Sequence, residues 1–147
     1  MFWGCIGWDG VGPLVEVNNN LDSDGYVNIL AKNLIPWMNN NSYTLFQQDG
    51  ASCHTSHYTS WWMQTHNIPV LEWVAQSPDL NPIEHMWDHL DRQIRKREPL
   101  PTSKKALINA LMEEWQKVPL DVVRNLISSM PQRIMAVINA KGSHTQY

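Results

Sequence analysis

The stretch Ser77-Pro78-Asp79-Leu80-Asn81-Pro82-Ile83-Glu84-His85-Met86-Trp87 leaves the chain little choice, because it starts a helix and sets a carboxylate in its first turn. Asn81 suits the N-cap, Pro82 the first helical position, and Glu84 falls three residues after the cap, near the positive end of the helix dipole. A helix is therefore expected from about Asn81. Ile83, Trp87, Leu90 and Ile94 recur at helical spacing as one apolar stripe, with Glu84, Asp88 and Asp91 on a neighbouring acidic one. Two readings of Glu84 stand: a capping-box glutamate returning to the N–H of Asn81, or a carboxylate held in place for chemistry.

A second carboxylate lies upstream. Tyr43 to Gln48 is rich in strand formers and runs into Asp49-Gly50, so Asp49 is expected where a strand gives way to a loop. Catalytic and binding groups of open α/β sheets gather at such carboxyl ends. An ordinary Asp-Gly turn is the other reading.

The run Gln47-Gln48-Asp49-Gly50-Ala51-Ser52-Cys53-His54-Thr55-Ser56, followed by Ser77 to Trp87, resembles the catalytic domain of Tc1/mariner-type transposases. Between Asp49 and Glu84 lie 34 residues, the spacing of the Tc1-like branch. The resemblance extends from Trp3-Gly4-Cys5-Ile6 and Gly12-Pro13-Leu14 to Ser129-Met130-Pro131 and Lys141-Gly142, and so covers the whole chain. It implies a DDE domain with three acidic residues, of which Asp49 is the second and Glu84 the third. The first belongs to a strand before Met1-Phe2-Trp3-Gly4, and Asp9, in the turn Asp9 to Pro13, is no substitute. The expectation is one truncated catalytic domain over 1–147, with a helical carboxy-terminal part at about 103–140.

Composition agrees with a folded domain. Of the 147 residues 43% are hydrophobic and 17% charged, with eight tryptophans expected mainly in the core or in subunit contacts. A net charge of −3 excludes a chain that binds DNA simply by being basic, so any such contact needs a local patch. Cys5 and Cys53 imply no disulfide framework and suit a reducing compartment. Met1 to Trp8 is too short to span a membrane and lacks the basic start of a signal peptide.

In chain order, Phe2–Trp8 and Leu14–Val17 read as a hairpin and Asn18-Asn19-Asn20 as a loop. Ser23 or Asp24 would cap a helix carrying Val27, Leu30, Leu34 and Ile35, ending near Pro36. The Asp49 strand follows, then a helix over Thr55–His66 stopped by Asn67, a strand Val70–Trp73, a loop Ala75-Gln76-Ser77-Pro78, and the Glu84 helix. Helices capped at Thr102 or Ser103 and beyond Pro119 complete the chain, the last kinked near Ser129 or Met130 by Pro131. The order β-β-α-β-α-β-α is α/β; with one strand restored before Met1, the resemblance makes it a ribonuclease-H-like fold lacking its first, central strand.

The resemblance implies DNA transposition: metal-dependent cleavage and transfer of strands, with transposon ends and target DNA as partners. Two Mg²⁺ or Mn²⁺ ions are expected in a complete site, bound by hard oxygen ligands. Asp49 would help hold one and Glu84 the other, while the absent first acid reaches both; the chain is therefore expected to be inactive alone. His54 matches a histidine whose expected work is support of the site. Arg92, Arg95, Lys96, Arg97, Lys104 and Lys105 form the candidate DNA-binding cluster, although Asp88–Arg92 and Asp91–Arg95 pairing on a solvated face explains part of it equally well. A zinc reading rests on Cys53, His54 and His57 or on His85 with His89, and base stacking on Trp61 or Trp62. No nucleotide-binding loop or nucleophile elbow is present. The competing class is a non-catalytic remnant that binds DNA or a transposase partner. A homodimer and a nuclear location (cytoplasmic if not eukaryotic) follow by analogy, with neither secretion nor membrane association.

Overall fold

A computed structural model describes residues 1–18, 20–73, 77–141 and 145, the side chain of Asp79 apart. The expected loop residues Asn19, Ala75 and Gln76, and Gly142 of the resemblance, lie outside them. The chain divides into two compact units, Met1–Gly4 with Val15–Gln76, and Cys5–Leu14 with Ser77–Tyr147.

The hairpin forms as β1 (Phe2–Gly7) and β2 (Gly10–Glu16), tighter than expected. Only Trp8 and Asp9 lie between the strands, because Gly10 opens β2 at φ 128, a backbone conformation closed to residues with a Cβ.

In the first unit, α1 (Ser23–Ile29) is capped one residue earlier than either expected cap: the Asp22 side chain accepts from Gly25 N–H at 2.8 Å. The chain then continues helical through a π-helical turn, Leu30–Leu34, into α2 (Ile35–Asn40). Pro36 does not end the helix. Its ring lacks the N–H for a regular i→i−4 bond, and the wide turn just before it, with Ile35 N–H reaching Leu30 O, accommodates the defect. Tyr26, Val27, Leu30, Leu34 and Met38 face inward together with Trp62, Met63 and Ile68.

The expected strands at Tyr43–Gln48 and Val70–Trp73 shrink to one parallel bridge between Phe46 and Val70. Phe46 N–H donates to Pro69 O at 2.9 Å and Leu71 N–H to Phe46 O at 2.8 Å. Parallel pairing is the weaker kind and needs cover on both faces. Here Leu45, Val70 and Leu71 are 55%, 36% and 39% exposed, so little burial rewards a longer ladder. The helix expected over Thr55–His66 is split at Ser56, whose extended backbone closes α3 (Ser52–Thr55) and whose hydroxyl caps α4 (His57–Thr65) by accepting from Thr59 N–H at 3.1 Å. Asn67 stops α4 at φ 52, as a C-terminal asparagine does.

In the second unit a short 3₁₀ turn, Pro78–Leu80, leads into α5 (Pro82–Arg95), followed by α6 (Lys104–Gln116), α7 (Leu120–Ser128) and α8 (Met130–Asn139). Ser103 caps α6 through Ala106 N–H at 3.1 Å. The expected kink falls at Ser129, a one-residue interruption that keeps αR backbone, with Pro131 in the first turn of α8, where its missing N–H costs nothing. Met86, Leu90, Trp115 and Val123 form the centre of this unit. The hairpin tip joins it: Trp115 Nε1 donates to Gly12 O at 2.7 Å, and Arg124 donates to Trp8 O at 3.1 Å while lying 5.3 Å over the indole.

Candidate functional site

Asp49 lies three residues beyond the Phe46 bridge, with its side chain half exposed. Its Oδ1 accepts from Ala51 N–H at 3.0 Å, an Asx turn, and lies 2.6 Å from His54 Nδ1. An ionised carboxylate only accepts, so His54 Nδ1 carries the proton of that bond. Oδ2 receives no hydrogen bond among the described residues. The arrangement leaves one hard oxygen facing solvent while its neighbour is held, which suits a divalent cation of Mg²⁺ type. His54 thus lies beside Asp49, five residues along the chain.

Two residues behind His54 were not singled out from sequence. Tyr26, 1% exposed on α1, lays its ring against the His54 imidazole at 4.1 Å, and its hydroxyl donates to Gln48 Oε1 at 2.6 Å. Gln48 Nε2 in turn donates to His54 O at 3.2 Å. Gln48 had a local signal, its place next to Asp49. Tyr26 had none, since 22 residues separate it from Gln48.

Glu84 belongs to the second unit, exposed in the first turn of α5. Asn81 occupies the N-cap position without a side-chain cap bond, so the helix start rests on Pro82 and on backbone bonds such as Glu84 N–H to Asn81 O at 3.2 Å. Beside Glu84, His85 Nε2 accepts from the buried Arg133 at 2.6 Å. Burial first, and the Arg133 charge second, hold His85 below its ordinary pKa, and the ring serves as an acceptor for a cation. That contact argues against His85 and His89 as a zinc pair. No three His, Cys, Asp or Glu side chains converge to hold a metal among the described residues.

The basic cluster is partly self-neutralised. Arg92 pairs with Asp88 at 2.9 Å and Arg95 with Asp91 at 2.6 Å, both one turn apart on α5. Arg97 crosses to α6, meeting Glu113 at 2.7 Å and Glu114 at 2.6 Å, and Lys117 joins Glu114 at 3.1 Å. Lys96 closes α5, while Lys104 and Lys105 stand exposed in the first turn of α6, where the helix dipole disfavours cations. Trp62 is buried against His66; Trp61 is 58% exposed and stacks on Tyr58.

The sequence signature of the DDE superfamily endonucleases matches residues 14–108, a span that includes both Asp49 and Glu84. The chain belongs to that family. Within it the likeness is to the Tc1 type: 39% identity over the whole chain to the Tcb1 transposase of Caenorhabditis briggsae and 38% to the Tc1 transposase of Caenorhabditis elegans. The chain spans about half the length of these curated relatives, 54% of each. Among solved structures, the catalytic domain of Mos1 mariner transposase superposes with a TM-score of 0.81 at 20% identity, covering 95% of this chain and 72% of that one. The Mos1 paired end complex with Mn gives 0.82 at 21%, covering 96% and 43%. At that identity the likeness shows the fold, which is the ribonuclease-H-like fold of DDE enzymes.

Proposed function

We propose that this chain carries out the chemistry of DNA transposition, as part of a Tc1-like DDE transposase, with Asp49 and Glu84 as two of its metal-binding acids. The observation that carries the reading is the Asp49 carboxylate, whose Oδ1 is engaged by His54 and Ala51 while the side chain stays half exposed. Asp49 would help hold one Mg²⁺ or Mn²⁺ ion through Oδ2, and the Glu84 carboxylate another. Two such cations would supply Lewis acidity to the entering and the leaving oxygen of a phosphodiester displacement. His54 keeps Asp49 from rotating to share both oxygens with its own loop. Lys96, Lys104 and Lys105 meet the DNA backbone, and Arg92, Arg95 and Arg97 do so by exchanging carboxylate for phosphate. A nuclear location and a homodimer accompany this reading.

Calorimetric titration with Mn²⁺ tests it. Asp49→Asn and Glu84→Gln are each expected to weaken binding by about 10-fold or more; unchanged affinity in both variants refutes the assignment. Because these 147 residues supply two of the three acids that the family resemblance calls for, they are expected to leave transposon-end DNA uncut in Mg²⁺. Turnover would overturn that part.

A further inference from the structure

We infer that Tyr26 and Gln48 are positioning residues that set the direction in which Asp49 presents its open oxygen. The inference rests on Asp49 as the metal-binding group proposed above. Asp49 is half exposed, so packing does not choose its rotamer. Ala51 N–H is two residues away and moves with the same loop. His54 is the contact that ties Asp49 to something else, yet His54 sits on α3, a four-residue helix too short to hold its own shape.

His54 is itself fixed twice by one side chain. The Tyr26 ring packs on the imidazole, and the Tyr26 hydroxyl orients Gln48, whose amide holds the His54 carbonyl. Ring and backbone of His54 are therefore both referred to α1, an element anchored by the Asp22 cap and buried at Tyr26 and Val27. The His54 carbonyl only accepts, so Gln48 turns its NH₂ toward it, which leaves Oε1 to accept from the Tyr26 hydroxyl and settles the amide orientation. If Tyr26 were only a core aromatic, phenylalanine would serve in its place.

The test uses the whole 147-residue chain with Tyr26→Phe, Gln48→Leu and, as a control for simple destabilisation, Leu34→Ala, which truncates a buried residue of the same unit outside the set. Two readouts are taken: the ¹⁵N shifts of the His54 ring, which report its tautomer, and Mn²⁺ affinity by electron paramagnetic resonance. In Tyr26→Phe and Gln48→Leu the Nδ1–H form is expected to lose its dominance and Mn²⁺ affinity to fall roughly 10-fold, the scale of outer-shell partners. Leu34→Ala is expected to lower Tm and move neither. A Tyr26→Phe protein with lower Tm but wild-type His54 shifts and Mn²⁺ affinity overturns the inference. If Asp49→Asn leaves Mn²⁺ binding intact, the metal assignment falls instead, and the His54 shifts alone decide whether Tyr26 and Gln48 position Asp49.

Discussion

The two cysteines show how environment separates identical side chains. Cys5 is 7% exposed in β1, and burial pushes its thiol up to about 12. Cys53 is half-buried on α3 and is also raised, by burial first and by Asp49. The thiolate is the reactive form, so at about pH 8 a thiol reagent is expected to modify Cys53 slowly and Cys5 only after denaturation. Two equally fast thiols in the native protein would contradict the buried placement of Cys5. Asp49 follows the same logic: its identity as an acid is written in the chain, but which of its oxygens is engaged is set by Ala51 and His54. His54 was legible because it sits five residues along. Tyr26 was not, because no local rule connects a residue on α1 to a loop beyond α2.

At the scale of elements, α5 to α8 formed nearly as the caps and periodicity required. Ser103 and Pro131 mark their boundaries by mechanisms that act within one turn. What holds them is Trp115, fully buried, stacked on Trp87 at 5.5 Å and bonded to Gly12. Trp115→Ala is expected to cost about 3–5 kcal/mol and Trp115→Phe, which loses the Gly12 bond, about 1–2, measured by urea unfolding. The Arg97–Glu113–Glu114–Lys117 group ties α5 to α6 more weakly. Glu114 is held below its ordinary value of 4.5, chiefly by its bond to Lys117 and further by Arg97, with burial opposing. A depressed carboxyl stabilises the fold above its unfolded pKa and loses that contribution as pH falls through the folded one. Glu114→Gln is therefore expected to lower Tm near neutrality, with the gap to wild type closing on acidification to about pH 3. A constant gap would show that the effect is not ionic.

For the whole molecule, the resemblance implied one domain, and the structure resolves two compact units whose boundary runs through the hairpin and again before Ser77. We propose that they unfold as one domain, so calorimetry is expected to show a single transition. DNA binding by this acidic chain would depend on a small patch. Replacing Lys96, Lys104 and Lys105 with Gln is expected to weaken binding to any DNA sequence and to reduce the slope of log K against log salt by roughly 0.9 for each phosphate those lysines neutralise. An unchanged slope would remove them from the interface.

The sequence alone determined the family, the spacing of Asp49 and Glu84, the helix starts at Pro82 and Lys104, and the Asp88–Arg92 and Asp91–Arg95 pairs. All of these arise from residues within a few positions of one another or from a motif read along the chain. Only the tertiary structure decided that Pro36 lies inside a helical run, that the strand before Asp49 reduces to the Phe46–Val70 bridge, and that Tyr26 stands behind His54. Those outcomes depend on which surfaces are buried and which distant side chains meet. Local propensity carries no information about either.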